Sequence, residues 1–295
     1  MQDKLIRAIV PEEGIQITAA ISTNLVERSR QIHHMTPVAT AALGRTLTIA
    51  SIMGSHLKIE NGSVTIQIKG NGSLGTICCV AAPDGFVRGY LQNPTACGDM
   101  PLRPDGKLNV GQGVGRGYLM VIKDIGLKDP MTGTVALVNG EIAEDMTYYF
   151  AESEQIPSAC GLGVLIDTDY TVKAAGGFLV QLLPHATDKG ITQLEQNITQ
   201  LPPVTTMLAQ GLSLKEMIQK ILASFSVQFL SSQEIGYRCT CSWGRVERAL
   251  LSMGRDELEN MIREQETSEV TCQFCDKVYM FSRRELQQLL PPIKK

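Results

Sequence analysis

Two closely spaced pairs of cysteines near the end of the sequence carry its clearest chemical signal. Cys239 and Cys241 form a C-x-C pair, and after 30 residues Cys272 and Cys275 form a C-x-x-C pair. Two chelating pairs supply four thiolates, the number that closes a tetrahedral shell around Zn²⁺. The spacing therefore predicts one bound Zn²⁺ per chain. Because four sulfur ligands leave no position for water, we expect a structural metal rather than a catalytic one.

The small size of the segment around these cysteines makes the metal important for folding. A segment of about 60 residues gains only a few kcal/mol from its own core. A four-thiolate zinc site is worth about 10–16 kcal/mol of folding free energy. The metal also holds its ligands as thiolates, the form that oxidants attack. We therefore expect this segment to be stable when reduced and to unfold when the metal is lost.

Two glycine-rich stretches resemble phosphate-binding loops but lack the required context. The stretch "GNGSLG" at Gly70–Gly75 matches G-x-G-x-x-G, yet strand-like residues follow it where a dinucleotide fold needs a helix. The stretch "GQGVGRG" at Gly111–Gly117 lacks the Lys-Ser/Thr ending of a phosphate loop. We interpret the first as a hairpin connection and assign a nucleotide to neither.

The remaining cysteines and the histidines show no pattern of ligands or catalytic partners. Cys78 and Cys79 are adjacent in a predicted strand, so their side chains point to opposite faces. With Cys97 and Cys160, they are expected to be small core or loop residues without a functional role. The four histidines have no ligand spacing among themselves or with the cysteines: His33, His34, His56 and His185.

Acidic residues in "AEDMTYYFAESEQIPSA" are expected to solvate the exposed face of an aromatic strand rather than to do chemistry. Across the first 235 residues, no spacing brings a nucleophile together with a base. The sequence therefore predicts that the protein is not an enzyme.

Composition and charge exclude several classes of protein. The chain has 295 residues, 43% hydrophobic and 19% charged, which suits a packed core rather than disorder. A net charge of −3 argues against a general nucleic-acid binder. No apolar run is long enough to span a membrane, and the start "MQDKLIRAIVPEEG" has no secretory h-region. We therefore expect a cytoplasmic protein without a membrane partner, in which clustered cysteines bind metal or sense oxidants.

The pattern of elements divides the chain into three parts. Residues 1–184 alternate helical and strand patterns, which predicts a mixed α/β (α+β) N-terminal domain. Residues 185–235 are predicted to form a linker of short amphipathic helices, interrupted at Pro202 and Pro203. Residues 236–295 are predicted to form a small α+β zinc domain with helices between the cysteine pairs. Short helices of this kind are stable only when docked, and the N-terminal sheet is the expected dock.

Several stretches together resemble the 33 kDa heat shock protein family, the redox-regulated holdase chaperones of the bacterial cytoplasm. The resemblance covers essentially the whole chain, and the ordered C-x-C and C-x-x-C tail is its most specific feature. It also rests on the following stretches: "ALGRTL" (42–47), "VRGYLQNP" (87–94), "GEIAEDMTYYFAESEQIPSA" (140–159) and "AGGFLVQLLP" (175–184).

The resemblance implies an ATP-independent holdase that is inactive when reduced and zinc-bound. Cys239, Cys241, Cys272 and Cys275 match the zinc ligands of the family. On oxidation the family pairs the first two and the last two cysteines and releases zinc. The linker and zinc domain then lose structure, the protein dimerises, and apolar surface binds unfolding clients under oxidative and heat stress. The N-terminal domain is the part expected to bind clients and to dimerise.

Two alternative functions stay open at this stage. A zinc-ribbon adapter for nucleic acid would carry excess positive charge, whereas residues 239–295 contain nine basic and nine acidic residues. A dithiol oxidoreductase would place C-x-x-C at the start of a helix after a strand, whereas strand residues follow it here. A gel-shift assay at low salt and an insulin-reduction assay separate these alternatives from a chaperone.

Overall fold

The structure is a computed structural model that describes residues 2–290. These residues form two compact units, whose boundary lies between Arg238 and Cys239. Thirteen strands are described, at Lys4–Val10 (β1), Ile15–Ile21 (β2), Ser63–Gly70 (β3), Thr76–Ala81 (β4), Phe86–Leu91 (β5), Gly117–Asp124 (β6), Met131–Ala136 (β7), Ser158–Ile166 (β8), Val172–Leu182 (β9), Gln228–Glu234 (β10), Gly236–Tyr237 (β11), Thr267–Thr271 (β12) and Val278–Ser282 (β13).

Ten α-helices accompany the described strands. They lie at Thr23–His33 (α1), Pro37–Ser55 (α2), Val110–Val114 (α3), Ala143–Glu152 (α4), Asp188–Thr199 (α5), Val204–Ala209 (α6), Leu214–Ile221 (α7), Trp243–Met253 (α8), Arg255–Glu264 (α9) and Arg283–Leu289 (α10). The mixed α+β architecture agrees with the fold class that the sequence predicts.

The first unit contains two sheets with helix α2 in the core that they share. One sheet has the strand order β10-β1-β2-β9-β8, and the other has β11-β5-β4-β3-β6-β7. Neighbouring strands are antiparallel except β11, which runs parallel to β5. Helix α2 is buried at 17 of its 19 residues and packs with side chains from both sheets. Its many small residues permit this close packing on all sides, as at Gly44, which lies against Val26 and Val164.

Helices α5, α6 and α7 cover the other face of the five-stranded sheet. Their apolar side chains, such as Leu194, Met207 and Ile218, form a second core with sheet residues that include Ile17 and Val180. Ser213 and Glu216 form the predicted capping box at the start of α7, each bonding the backbone N–H of the other. The expectation that these short helices dock on the N-terminal sheet is therefore confirmed.

The end of the predicted helical stretch is a strand. Residues 228–234 form β10, which pairs antiparallel with β1, although the sequence analysis expected helices up to residue 235. The segment "QFLSSQE" is largely exposed and lacks a continuous apolar helical face, so pairing with the edge of β1 determines its structure. Strand β11 then joins Tyr237 to the edge of the second sheet.

The segment expected to be an aromatic strand is helix α4. Met146, Tyr149 and Phe150 are buried at helical spacing and face the core. Asp145 is fully buried rather than solvated. Its carboxylate accepts hydrogen bonds from backbone N–H groups at residues 138, 139, 140 and 142. This carboxylate organises the turn before the helix, which explains a buried acid without catalytic chemistry.

The second unit is small and has a core of its own. Strands β12 and β13 form an antiparallel hairpin, and helices α8, α9 and α10 pack beside it. Ser282 and Glu285 form the predicted capping box of α10. Among its described residues the buried core side chains are Val246, Leu250, Leu258, Tyr279, Phe281 and Leu286. A core of this size is modest for an independently stable domain.

Candidate metal centre

The four tail cysteines come together at one point of the second unit. Cys239 and Cys241 lie between β11 and helix α8, whereas Cys272 and Cys275 lie in the turn between β12 and β13. Their Sγ atoms are all within 4.8 Å of one another. Among residues 2–290, this is the one group of His, Cys, Asp or Glu side chains with the spacing of a metal site.

The separation of the sulfurs fits a tetrahedral metal shell. The Sγ atoms of Cys239 and Cys272 are 3.7 Å apart, and those of Cys241 and Cys275 are 3.6 Å apart. In a zinc site with Zn–S bonds of about 2.3 Å, tetrahedral geometry puts neighbouring sulfurs about 3.8 Å apart. All eight cysteines are free, and a disulfide would need sulfurs about 2.05 Å apart. The arrangement is therefore that of a reduced four-sulfur site.

The hairpin turn presents its two cysteines in a knuckle. The backbone N–H of Cys272 donates to the carbonyl of Lys277 at 3.1 Å, and that of Cys275 donates to the carbonyl of Cys272 at 3.2 Å. These bonds fold the chain back so that both side chains point to the same side. The predicted strand–turn–strand context of the C-x-x-C pair is thus confirmed.

The thiols of Cys239, Cys241 and Cys275 differ in pKa. Burial alone would raise the pKa of Cys241, but hydrogen bonds from Tyr279 and the neighbouring thiols outweigh it and lower the pKa to about 7. Burial raises the pKa of Cys239. Burial also raises the pKa of Cys275, and hydrogen bonds to neighbouring sulfurs raise it further. Cys241 therefore supplies the negative charge that attracts a metal ion more readily than Cys239 or Cys275.

Tyr279 is a part of this site that the sequence analysis missed. Its hydroxyl donates a hydrogen bond to the Sγ of Cys241 at 3.1 Å. Burial alternates along β13, which places Tyr279 on its inner face, but the sequence "VYMF" is apolar throughout and does not show this alternation. The distance from that face to the C-x-C pair depends on tertiary structure, which no local pattern contains.

The other candidate residues lie elsewhere. Cys78 and Cys79 are buried in β4, and Cys160 is half-buried in β8. Cys97 is half-buried in a loop, with its Sγ 2.9 Å from the hydroxyl of Ser73. These positions confirm their interpretation as core and loop residues.

The two glycine-rich stretches pack against each other through backbone hydrogen bonds. The backbone N–H groups of Gly72 and Leu74 donate to the carbonyls of Val114 and Gly113 at 2.9 and 3.0 Å. A side chain at Gly72 would collide with this backbone. The glycines therefore permit two chain segments to approach closely, a structural role that fits the rejection of phosphate loops.

Comparison with known proteins agrees over the whole chain. A family model described as "Hsp33 protein" matches residues 3–282. The chain belongs to this family. The 33 kDa chaperonin of Desulforamulus reducens is 45% identical over 294 residues, covering 100% of this chain and 99% of that protein. The 33 kDa chaperonin of Acetivibrio thermocellus is 43% identical over 294 residues, with the same coverage of both proteins.

A solved structure shows the same architecture. The Hsp33 homologue of Thermotoga maritima, also a 33 kDa chaperonin, aligns with a TM-score of 0.89 and 34% identity, covering 98% of each chain. The resemblance stated from the sequence is therefore confirmed, and the function class of the chain is that of a molecular chaperone. No helix among the described residues is long and apolar enough to cross a membrane.

Proposed function

We propose that this Hsp33-family chain is a redox-regulated, ATP-independent holdase. In its reduced form Cys239, Cys241, Cys272 and Cys275 bind one Zn²⁺, and the chaperone is inactive. The observation that carries the proposal is the tetrahedral spacing of four sulfurs in a unit with a very small core. When bound, zinc supplies a cross-link between the C-x-C segment and the hairpin.

We propose that each of the two cysteine pairs is oxidised by the same reaction. In each pair, two thiolates give two electrons to one molecule of hydrogen peroxide, and one S–S bond forms. The O–O bond breaks, and two water molecules leave after two protons are taken from solvent. The pairs are Cys239 with Cys241 and Cys272 with Cys275. A sulfur that has been oxidised no longer carries the charge that binds the metal, so the cysteines release it before both disulfides are complete.

The second unit then loses more free energy than its core provides. Zinc binding at such a site is worth about 10–16 kcal/mol, and unfolding of the unit follows its loss. We propose that the folded zinc unit restrains α5, α6 and α7, which are short helices that are stable only when docked. When they detach, the apolar faces of both the helices and the sheet become exposed.

The exposed faces are of the kind that binds other proteins. Side chains such as Met207, Met217 and Ile218 on one side, and Ile17 and Val180 on the other, are buried until then. Unfolding clients expose apolar segments that can cover such faces, and a second oxidised copy can do so too. This supports a holdase that dimerises on oxidation and protects clients under oxidative and heat stress. We propose that it acts in the cytoplasm, where thiols are kept reduced until an oxidant arrives.

Neither enzymatic activity nor nucleic-acid binding is part of the proposal. The C-x-x-C pair lies in a hairpin turn and not at a helix N-terminus, which disfavours a dithiol oxidoreductase. The second unit's balanced charge disfavours a phosphate-binding adapter. The glycine stretches pack on each other, in agreement with a chaperone that works without ATP.

Zinc release and aggregation suppression, measured together, test the proposal. Reduced, zinc-loaded protein is exposed to hydrogen peroxide at raised temperature while a chromophoric chelator reports free zinc. Samples taken in parallel are added to a thermally unfolding client whose light scattering is followed. We expect suppression to rise as zinc appears and to be lost again after reduction and zinc reloading. Full suppression by the reduced zinc protein would refute the switch.

Matched cysteine variants identify the sulfurs that bind zinc. The double variant Cys239→Ser, Cys241→Ser should bind no stoichiometric zinc, because two ligands remain. The control Cys97→Ser removes a half-buried loop cysteine outside the cluster and should keep one zinc per chain. Full zinc occupancy in the double variant would overturn the ligand assignment.

A further inference from the structure

One hydroxyl group connects the two halves of the cysteine cluster. Tyr279 lies on β13, the strand that follows the C-x-x-C turn, but its hydroxyl donates to a sulfur of the C-x-C pair. The oxygen–sulfur distance to Cys241 Sγ is 3.1 Å. A side chain of the hairpin therefore reaches across to the segment that precedes α8.

Packing holds the tyrosine ring in this orientation. Tyr279 is only 3% exposed. Its ring meets the indole of Trp243 edge-on at a centroid distance of 6.0 Å, and the Nζ of Lys277 lies 4.9 Å from the ring centroid. On the neighbouring strand Val270 is its partner in register. Because these contacts hold the ring on several sides, its orientation is already fixed and the hydroxyl points at Cys241.

A hydrogen bond to a metal-bound thiolate changes the reactivity of that sulfur. The donor withdraws electron density, which makes the sulfur a weaker nucleophile toward peroxides and alkylating agents. The same bond fixes the direction of the sulfur lone pairs and favours the geometry that a metal requires. We propose that Tyr279 is a positioning residue that orients Cys241 for zinc and lowers the reactivity of its sulfur. This inference rests on the proposed zinc site.

The variant Tyr279→Phe removes the hydroxyl and keeps the ring. Reduced, zinc-loaded protein is treated briefly with iodoacetamide, and each cysteine is quantified by mass spectrometry. At each site an S–C bond forms, the C–I bond breaks and iodide leaves. We expect alkylation of Cys241 to become about tenfold faster relative to Cys272 and Cys275. Competition with a zinc chelator should show an affinity about 10–100-fold weaker.

The site-resolved ratio distinguishes positioning from general loosening. If the hydroxyl only supported the fold, Tyr279→Phe would accelerate alkylation at all four cysteines together. If only the ring mattered, Tyr279→Phe would leave the ratio unchanged. Either result would show that the inference is wrong. Ser268→Ala is the matched control, since it removes a buried hydroxyl from the other strand of the same hairpin. This control should leave the ratio unchanged.

A second variant works in the opposite direction and conserves the side chain. Replacing Tyr279 with 3-fluorotyrosine makes the hydroxyl a stronger donor, so alkylation of Cys241 should slow relative to the other ligands. In the cobalt-substituted protein, the thiolate-to-metal charge-transfer band should shift in opposite directions for the two variants. An unchanged ratio and band in both would overturn the inference alone. A wild-type protein that binds no zinc would overturn the proposed site itself.

Discussion

At the scale of residues, the geometry of the reduced cluster does not select the proposed disulfides, because all four Sγ atoms lie within 4.8 Å of one another. The sulfurs of Cys239 and Cys272, and those of Cys241 and Cys275, are as close as 3.7 and 3.6 Å, and each of these pairs joins one motif to the other. Those contacts depend on a folded second unit. Once the metal is lost and the unit unfolds, only residues near in sequence remain close. Local pairing is therefore expected from the state in which the bonds form, not from the folded one.

Peptide mapping of the oxidised protein tests this pairing. After peroxide treatment at raised temperature, the protein is alkylated and digested without reduction. The expected products contain Cys239–Cys241 and Cys272–Cys275, because residues two or three positions apart reach disulfide distance through local turns. Mainly crossed peptides, with Cys239 joined to Cys272, would show that the bonds form before the unit unfolds.

His56 gives the first unit a dependence on pH that is separate from the cysteines. Its Nε2 lies 2.8 Å from the hydroxyl of Thr18. Burial, and then the positive charges of Arg7 and Lys123, lower its pKa from 6.5 to about 4. Between these values the unfolded chain binds a proton that the folded chain does not. The stability contributed by neutral His56 is therefore complete above pH 6.5 and is lost as the pH falls toward 4.

The variant His56→Gln should weaken that dependence. Glutamine can keep a hydrogen bond to Thr18 but does not titrate. A pKa difference of about 2.5 corresponds to at most about 3 kcal/mol of unfolding free energy. Urea unfolding of both proteins, followed by circular dichroism from pH 7 to pH 4, measures the difference. Parallel curves for the two proteins would show that His56 does not contribute.

At the scale of elements, the contact of α6 with the five-stranded sheet depends on a pair of glycines. Gly163 of β8 pairs with Gly176 of β9 beneath the helix. A Cβ atom on Gly163 would lie 2.6 Å from Cγ2 of Thr205, and its three nearest neighbours all belong to Thr205 and Val204. An added methyl group there would press on α6 alone, whereas one at Gly176 would also collide with the sheet backbone at Ala20.

The variant Gly163→Ala should therefore loosen the linker without removing zinc. Overpacking of this kind costs about 1–3 kcal/mol. We expect faster hydrogen exchange in α6 and partial suppression of client aggregation by the reduced, zinc-loaded protein. The double variant Gly163→Ala, Thr205→Ser lacks the opposing methyl group and should restore both properties. Equal suppression by the two reduced variants, whether both suppress aggregation or neither does, would contradict a role for this contact.

Sequence patterns predicted elements well where the signal is local. The capping boxes at Ser213 and Ser282 mark the starts of α7 and α10 because both partners lie within one turn. The four cysteines are predictable because their chemistry requires each pair to be close in sequence. Helix α4 was predicted as a strand because its aromatic residues suggested β-structure, although Met146, Tyr149 and Phe150 recur at helical spacing.

Features that depend on distant partners were not predictable in this way. Strand β10 is exposed and weakly patterned, and its structure comes from pairing with β1, more than 200 residues earlier. The bond from Tyr279 to Cys241 joins residues 38 positions apart. In both cases the partner is selected by the fold, so the short-range periodicities of the sequence carry no record of it.

At the scale of the whole molecule, the two units differ in what stabilises them. The first has an extensive core that joins two sheets and α2, and a second core beneath α5, α6 and α7. The second unit, as far as residue 290, has six buried core side chains and a cluster of four cysteines. Losing a metal therefore affects the units unequally. Such a difference permits one part of a chain to unfold while another stays folded.

Hydrogen exchange can be compared between the reduced zinc protein and the oxidised protein at one temperature, with client suppression assayed on the same samples. On oxidation we expect protection to fall in residues 188–221 and in the second unit, while β1 to β9 stay protected and suppression appears. If α5, α6 and α7 stay as protected as β9 while the oxidised protein suppresses aggregation, the proposed order-to-disorder mechanism is contradicted.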